Sequence, residues 1–364
     1  MTKKIITILI LVLFIFNISA AAELKDPWIS KKEQGQHGGT LITTLLGDPK
    51  TFNTIIAKET SSSTITDGYI FEGLVTRNGV TTEYEPELAK SWDISEDGRK
   101  YTFYLRKGVQ WSDGEEFTAD DVIFTFDVIK DENIPTSSRD VLKVKGEFPE
   151  YKKIDKYTVE FTLPESFAPF LNNMTAPIIP KHKLYSAWQK GKFNNTWGIN
   201  TDPEEIVGTG PYKLVDYKNG ERVVMEKNNY YWRQDPNGRS LPYINRWIRV
   251  IAESQETESL LFEKGQTHYL AVRGIDYRRI KTEAENNNFS VVDAGPAFST
   301  NFLVFNMNPR NPNLKIEPYK YEWFTNLNFR RAVAYAFDKQ TMINQALAGQ
   351  GTKQWSPISI ANKV

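Results

Sequence analysis

Cysteine is missing from the chain altogether, and histidine occurs only three times. The first absence excludes a thiol nucleophile, disulfide staples and thiolate metal sites together. It also excludes a lipid anchor built on a cysteine next to a signal cleavage point. His37, His182 and His268 fall far apart in different predicted elements, so the sequence offers no metal cage and no metal or other cofactor is expected. An excess of charge of one sign is lacking too: 45 Lys and Arg balance 45 Asp and Glu. With no basic stripe interleaved with aromatics, nucleic acid is not expected as a partner. A G-x-S-x-G elbow, a phosphate loop, an H-E-x-x-H pair and a dinucleotide fingerprint are all absent; "GQGTK" at Gly349–Lys353 has the wrong glycine spacing. No catalytic residue can be named, and paired carboxylates far apart in the chain remain the one enzymatic alternative, that of an exported hydrolase.

What is present begins with "MTKKIITILILVLFIFNISAAAE". Lys3 and Lys4, an apolar run from Ile5 to Phe16 and small residues at Ser19–Ala22 have the layout of a secretory signal. The run is shorter than the ~20 apolar residues that cross a bilayer. Residues 1–22 are therefore read as a cleavable signal, which leaves the mature chain two lysines poorer and slightly acidic. Export without a lipid anchor points to a periplasm. With 364 residues the chain exceeds one ordinary core and predicts two or more lobes. Its aromatic content of 13% suits either large cores or a surface that grips ligands.

Residues 23–37 are polar and without periodicity, and read as a flexible leader. Thr40–Leu46 reads as a strand stopped by Gly47, Asp48 and Pro49, and a polar loop at a strand end is a common ligand position. Ile65, Tyr69, Ile70 and Leu74 have helical spacing after a run of serines. Tyr101, Phe103 and Leu105 alternate with polar residues, as do Val159, Phe161 and Leu163, so both stretches predict half-buried strands. Tyr212–Tyr217 and Arg222–Glu226 flank "KNG" and predict a hairpin. The segment from Ile244 to Val272 reads as strand, helix around Leu260–Phe262, and strand. "FSTNFLVFNMNP" predicts an apolar strand. "LNFRRAVAYAFDKQTMINQALAG" predicts helices with Phe329, Val333, Phe337, Met342 and Leu347 in a core, Asp338 capping the second.

Two acidic stretches invite chemistry. "DISEDG" at Asp93–Gly98 starts like a calcium loop, but the twelfth position holds Tyr104 where a bidentate Glu belongs, and a turn is the better reading. "GEEFTADDVIFTFDVIKD", Gly114–Asp131, is rich in carboxylates. Thr118 stands three residues before Asp121 and just ahead of Val122, Phe126 and Ile129, the spacing of a capping box. Asp120 and Asp121 also complement the positive end of a helix dipole. Adjacent helical residues point ~100° apart, which argues against a catalytic dyad.

An exported, aromatic-rich, multi-lobed chain without catalytic machinery suggests a binding protein. Seven segments carry a resemblance in order: "GGTLITTLLGDPKTFN", "IFEGLV", "PELAKSWDISEDGRKYTFYLRKGVQWSDGEEFTADDVIFTF", "VEFTLPESFAPFL", "GTGPYKL", "EKNNYYW" and "FRRAVAYAFDKQTMI". Together they resemble the extracellular solute-binding proteins of family 5, the oligopeptide- and dipeptide-binding type of bacterial ABC importers, over nearly all of the mature sequence.

The resemblance implies an α/β fold of the two-lobed periplasmic-binding-protein type II, with an extra domain inserted in the first lobe. On that pattern residues 38–77 and 208–297 form the first lobe, 78–207 the insert and 298–364 the start of an incomplete second lobe, so that the sequence reads as a fragment. It implies a monomer that captures peptides, closes around them and docks on membrane permease subunits. Nickel complexes, oligosaccharides and opines are alternative solutes on the same scaffold. The acidic residue that pairs with a peptide amino terminus in such proteins lies beyond the matching segments. The ligand-binding candidates are Asp48 and Phe52 in the loop after the first strand, Tyr69 and Glu72 on the following helix, and Ser299 and Asn301 at the entry to the second lobe.

Overall fold

The computed structural model describes residues 26–361 apart from 33, 296, 298–299 and 309–315. The expected signal and Ser299 lie outside the described residues. In chain order the elements begin with β1 (Trp28–Ile29), β2 (Thr40–Leu46), α1 (Thr60–Thr66), β3 (Val75–Arg77), β4 (Tyr84–Pro86), β5 (Ala89–Ile94) and β6 (Lys100–Leu105). There follow α2 (Ala119–Lys130), α3 (Ser138–Leu142), β7 (Glu150–Asp155), β8 (Thr158–Thr162), α4 (Phe170–Asn173) and α5 (Lys181–Gln189). Then come β9 (Tyr212–Lys218), β10 (Arg222–Lys227), β11 (Arg233–Gln234), β12 (Arg246–Ala252), α6 (Gln255–Glu263) and α7 (Tyr277–Ala284), and last α8 (Pro318–Thr325), α9 (Leu327–Ala336) and α10 (Lys339–Ala346).

One four-stranded sheet has the order β2-β12-β10-β9. Its first pair is parallel, with Thr40 opposite Arg246 and Leu46 opposite Ala252, while β10 runs antiparallel to both β12 and β9. Sequence-distant segments thus share one sheet, and everything between β2 and β9 is an excursion from it. A second sheet, β5-β6-β8-β7, is antiparallel throughout and lies within that excursion. Tyr101, Phe103 and Leu105 of β6 and Val159 and Phe161 of β8 are buried, as the alternation predicts. Helix α2 covers the same face with Val122, Phe126 and Ile129. The rings of Phe126 and Phe161 meet edge to face at 4.9 Å, and Phe170 joins them at 5.7 Å from Phe161. Each such ring stabilises the fold by about 1.5–3 kcal/mol on burial, so much of the aromatic surplus is core.

Helix α2 starts as the sequence predicts. The Thr118 hydroxyl accepts from the Asp120 N–H, and the Asp121 carboxylate returns to the Thr118 N–H at 2.9 Å, completing a capping box. Asp121 accepts from the Lys181 N–H as well, at 2.9 Å, which ties the start of α5 to that of α2. "DISEDG" is a turn with Gly98 at φ +66°, and the Tyr104 hydroxyl donates to Asp93 at 2.8 Å, filling with a donor the place where a cation ligand would stand.

Five expectations fail. Helix α1 ends at Thr66, because Gly68 at φ +77° turns the chain back and Asp67 bridges Phe71, so Tyr69 and Leu74 are not helical. No strand follows α6; the segment touches β2 at one point, where the His268 N–H donates to the Ile42 carbonyl and His268 Nδ1 accepts from the Ile42 N–H. Residues 300–308 are not a strand either. Helices α9 and α10 form, with Asp338 capping α10, but bury no residue among those described, and Phe337 and Met342 are exposed. Phe329 is only partly covered, by Trp323 and Phe305. The leader also differs from expectation, since β1 pairs in parallel with β11.

Candidate functional site

In a sheet with parallel strands, ligands gather beyond the carboxyl ends of those strands, where loops diverge and main-chain groups are free. Here that place is the end of β2 and β12. Gly47 leaves β2 at φ +78° and donates its N–H to the Ala252 carbonyl at 3.1 Å, which holds the two strand ends together. Leu46 and Gly47 are exposed beside it.

Asp48 is fixed at the rim of this end. One carboxylate oxygen accepts from the Tyr217 hydroxyl and from the Gly220 N–H, both at 2.9 Å, so the loop after β2 is bound to the β9–β10 turn. Its carbonyl accepts from the Ser61 hydroxyl at 2.9 Å, and the Lys50 N–H donates to the Ser62 hydroxyl at 2.9 Å, binding the same loop to the start of α1. On the other strand, Ser254 caps α6 by accepting from the Thr257 N–H, and Glu258 in its first turn accepts from the Thr44 hydroxyl. The loop is pre-set rather than free to collapse, the condition under which a binding surface loses least on ordering.

Tyr69 lies on the neighbouring face with 37% of its surface exposed, its ring edge-on to Trp247 at 4.7 Å. Arg249 lies over the Trp247 ring at 5.2 Å. Its guanidinium donates to the Thr64 carbonyl at 2.6 Å and the Thr44 carbonyl at 3.3 Å, spanning α1 and β2. Burial lowers the Arg249 pKa, and no carboxylate forms an ion pair with it among the described residues. Two arginines, Arg246 and Arg249, interrupt the apolar run "INRWIRVIA", and nothing in the strand pattern distinguishes the more buried one from its neighbour.

The predicted site residues therefore separate. Asp48 and Tyr69 both keep surface access, Asp48 at the carboxyl end of β2 and Tyr69 against Trp247 near the start of β12. Phe52 is fully buried, its ring edge-on to Tyr217 at 5.5 Å beneath the loop. Glu72 is 2% exposed and its carboxylate is engaged by Trp232 and Tyr231. Both are corrected to interior positions, the first because its ring packs under the Asp48 loop and the second because three aromatic and cationic side chains enclose it. Asn301 is exposed, but its segment is tied to residues 354–359 through Thr300 and Gln354 and through Ala297 and Ser359. No hydrogen bond or ring contact joins it to the other candidates among the described residues.

The three histidines stay apart: His37 lies 4.0 Å from Asp235, His182 is bound to Asp113 at 2.9 Å and His268 contacts β2. No group of three metal-ligating side chains occurs among the described residues. No helix among them is long and apolar enough to cross a membrane.

Residues 83–363 match the bacterial extracellular solute-binding proteins, family 5 Middle. The chain belongs to that family. A probable ABC transporter-binding protein of Deinococcus radiodurans is 27% identical over 94% of the chain and 59% of its own length. Among solved structures, the oligopeptide-binding protein AppA of Bacillus subtilis, in complex with a nonapeptide, superposes with a TM-score of 0.71 at 24% identity, covering 91% of the chain and 60% of AppA. The periplasmic binding protein DppA of Helicobacter pylori, in complex with the peptide STSA, gives 0.68 at 25% identity over 89% of the chain and 61% of its own. The chain thus spans about three-fifths of the length of these relatives. The fold is the α/β periplasmic-binding-protein type of the family 5 solute-binding proteins.

Proposed function

We propose that the protein is the solute-binding component of an ABC import system and that it captures peptides outside the inner membrane for delivery to a permease. The observation that carries this reading is the family 5 match over residues 83–363, joined to a fold shared with two proteins solved with peptides bound. The strand-end geometry fits it: an exposed main chain at Leu46–Gly47, fixed in place through Asp48, suits a ligand recognised by its own main chain.

On this reading the first lobe comprises residues 38–77 and 208–297, the insert 78–207, and the second lobe begins near residue 298. Asp48 supports the ligand surface by holding its loop, Tyr69 supplies an exposed aromatic face, and Asn301 stands at the crossover. Closure of the lobes over bound peptide buries it, and the closed form is the one a permease engages. The protein works as a periplasmic monomer, exported by the signal of residues 1–22 and carrying no lipid anchor.

The test is titration calorimetry of the protein from its own cells, after denaturation and refolding to strip retained ligand, against di-, tri- and nonapeptides, a nickel–histidine complex and a galactoside. Saturable binding confined to peptides supports the proposal. Binding of either other solute with peptides silent overturns the peptide reading and leaves the import role; binding of nothing overturns both.

A further inference from the structure

Where the segment after α1 meets the start of β11 lies a buried cluster of charge. Glu72 and Glu87 are 2% and 8% exposed, and a single guanidinium nitrogen serves both: Arg233 Nη2 lies 2.7 Å from Glu87 and 3.8 Å from Glu72. Trp232 Nε1 donates to Glu72 at 2.7 Å and the Tyr231 hydroxyl at 3.3 Å, while the Gly73 N–H donates to Glu87 at 3.3 Å. Arg106 is buried as well but gives its N–H groups to carbonyls, that of Glu87 at 2.7 Å and that of Asp26 at 2.9 Å. Arg106 is thus engaged by main-chain carbonyls, and Arg233 is the guanidinium that pairs with the two carboxylates.

The same groups hold the segment just before the first sheet. Trp28 and Ile29 pair with Arg233 and Gln234, the Ser30 N–H donates to the Gln234 carbonyl at 2.9 Å, and the Arg233 guanidinium lies over the Trp28 ring at 5.0 Å. The Asp26 carboxylate meets Lys90 of β5 at 3.3 Å. Residues 26–30 are thus a strap that joins β11 to the second sheet, and Arg233 both seats Trp28 and bridges the two carboxylates.

We propose that Glu72, Glu87 and Arg233 form a proton-linked latch for this strap, closed when the two carboxyl groups share one proton and loosened when both are ionised. Two buried negative charges on one guanidinium nitrogen repel each other, and the guanidinium that holds both also lies over the Trp28 ring, so strain in the pair is passed to the strap. Burial raises the Glu72 pKa, and burial with the nearby Glu72 charge pushes that of Glu87 up to about 8. The other charged or titratable groups that face the pair are Arg106, Tyr231, Asp26 and Glu85. Of these, Tyr231 titrates well above its usual range and Arg106 at about 10, so neither changes charge near neutrality. With a raised folded pKa the contribution is fully present below the ordinary value of 4.5 and is lost as pH rises through about 8.

The experiment is amide hydrogen exchange of the full chain between pH 5.5 and 8.5, corrected for intrinsic rates, reading the Ser30 amide against β6 as an internal standard. Protection of Ser30 falls by about tenfold or more across the range while β6 is steady, and Glu87→Gln, which fixes the uncharged form, abolishes the fall. An equal fall in E87Q, or no fall in the wild type, overturns the proposal. Infrared spectroscopy of the wild type keeps it testable if the variant does not fold. A buried protonated carboxyl band at neutral pH supports the latch, and absence of that band overturns it.

Discussion

The indole N–H of Trp232 donates to the Glu72 carboxylate at 2.7 Å, joining the segment after α1 to the segment before β11 across a buried contact. Arg106 and Arg233 lie over the same indole at 4.7 and 4.9 Å, so the ring is held between two cations and an acid. Removing Glu72 leaves Trp232 and Tyr231 short of an acceptor at once, while Arg233 keeps Glu87 at 2.7 Å. Glu72→Ala is expected to lower the unfolding free energy by about 2–4 kcal/mol, the cost of leaving two buried donors unpaired. Glu72→Gln, which keeps an acceptor oxygen, costs less than half of that; guanidinium titrations of both variants check it, and equal losses refute the acceptor role.

The capping box makes a graded prediction. Thr118→Ala removes one acceptor at a helix start and costs about 1 kcal/mol. Asp121→Ala removes the acceptor for two N–H groups, those of Thr118 and Lys181, in a buried place, so its loss is expected at about 2–4 kcal/mol. Thermal unfolding of the two variants in one buffer gives the order, and a Thr118 effect as large as that of Asp121 rejects it.

The contrast between local and distant signals decides what could be read in the sequence. The alternation of Tyr101, Phe103 and Leu105, the cap at Thr118 and the β9–β10 hairpin are set by neighbours in the chain, and each is found in the structure. Glu72 reads as a ligand-binding candidate in the sequence because its partners, Trp232 and Arg233, come from far along the chain, where nothing local announces them. Phe52 misled for the same reason: its cover is Tyr217. Asp48 was legible as the end of a strand, but the hydroxyl and N–H that fix it belong to another hairpin. The helical spacing that ran on to Leu74 was overruled by Gly68 at φ +77°.

Gly208 and Gly210 permit a close crossing. A Cβ on Gly208 would stand 1.9 Å from the Ile70 carbonyl oxygen, and one on Gly210 2.4 Å from that of Tyr69, while the Gly210 N–H donates to Ile70 at 2.9 Å. Neither neighbour is a side chain that can swing away. Gly208→Ala is expected to cost about 3 kcal/mol, the upper end for forced overpacking. Gly220→Ala, in a turn with open space but φ +71°, costs about 1 kcal/mol from backbone strain alone. Denaturant unfolding of both distinguishes steric from torsional cost, and equal effects refute the crossing argument.

The Asp48 link is the prediction that bears on ligand capture. If the loop after β2 is part of the binding surface, freeing it adds an ordering cost to every binding event without touching the ligand. Tyr217→Phe removes one of the two donors to the Asp48 oxygen, and Asp48→Ala removes the acceptor itself. At about 1 kcal/mol per hydrogen bond, peptide affinity should fall roughly fivefold in Y217F and roughly twenty- to thirtyfold in D48A. Unfolding by denaturant reports separately on what each change costs the fold. Titration calorimetry should place the affinity loss in the entropy, since the contacts to the ligand are intact. An unchanged affinity in D48A, with the loop shown to be loosened by hydrogen exchange at Gly220, would mean that the ligand is held elsewhere on the fold.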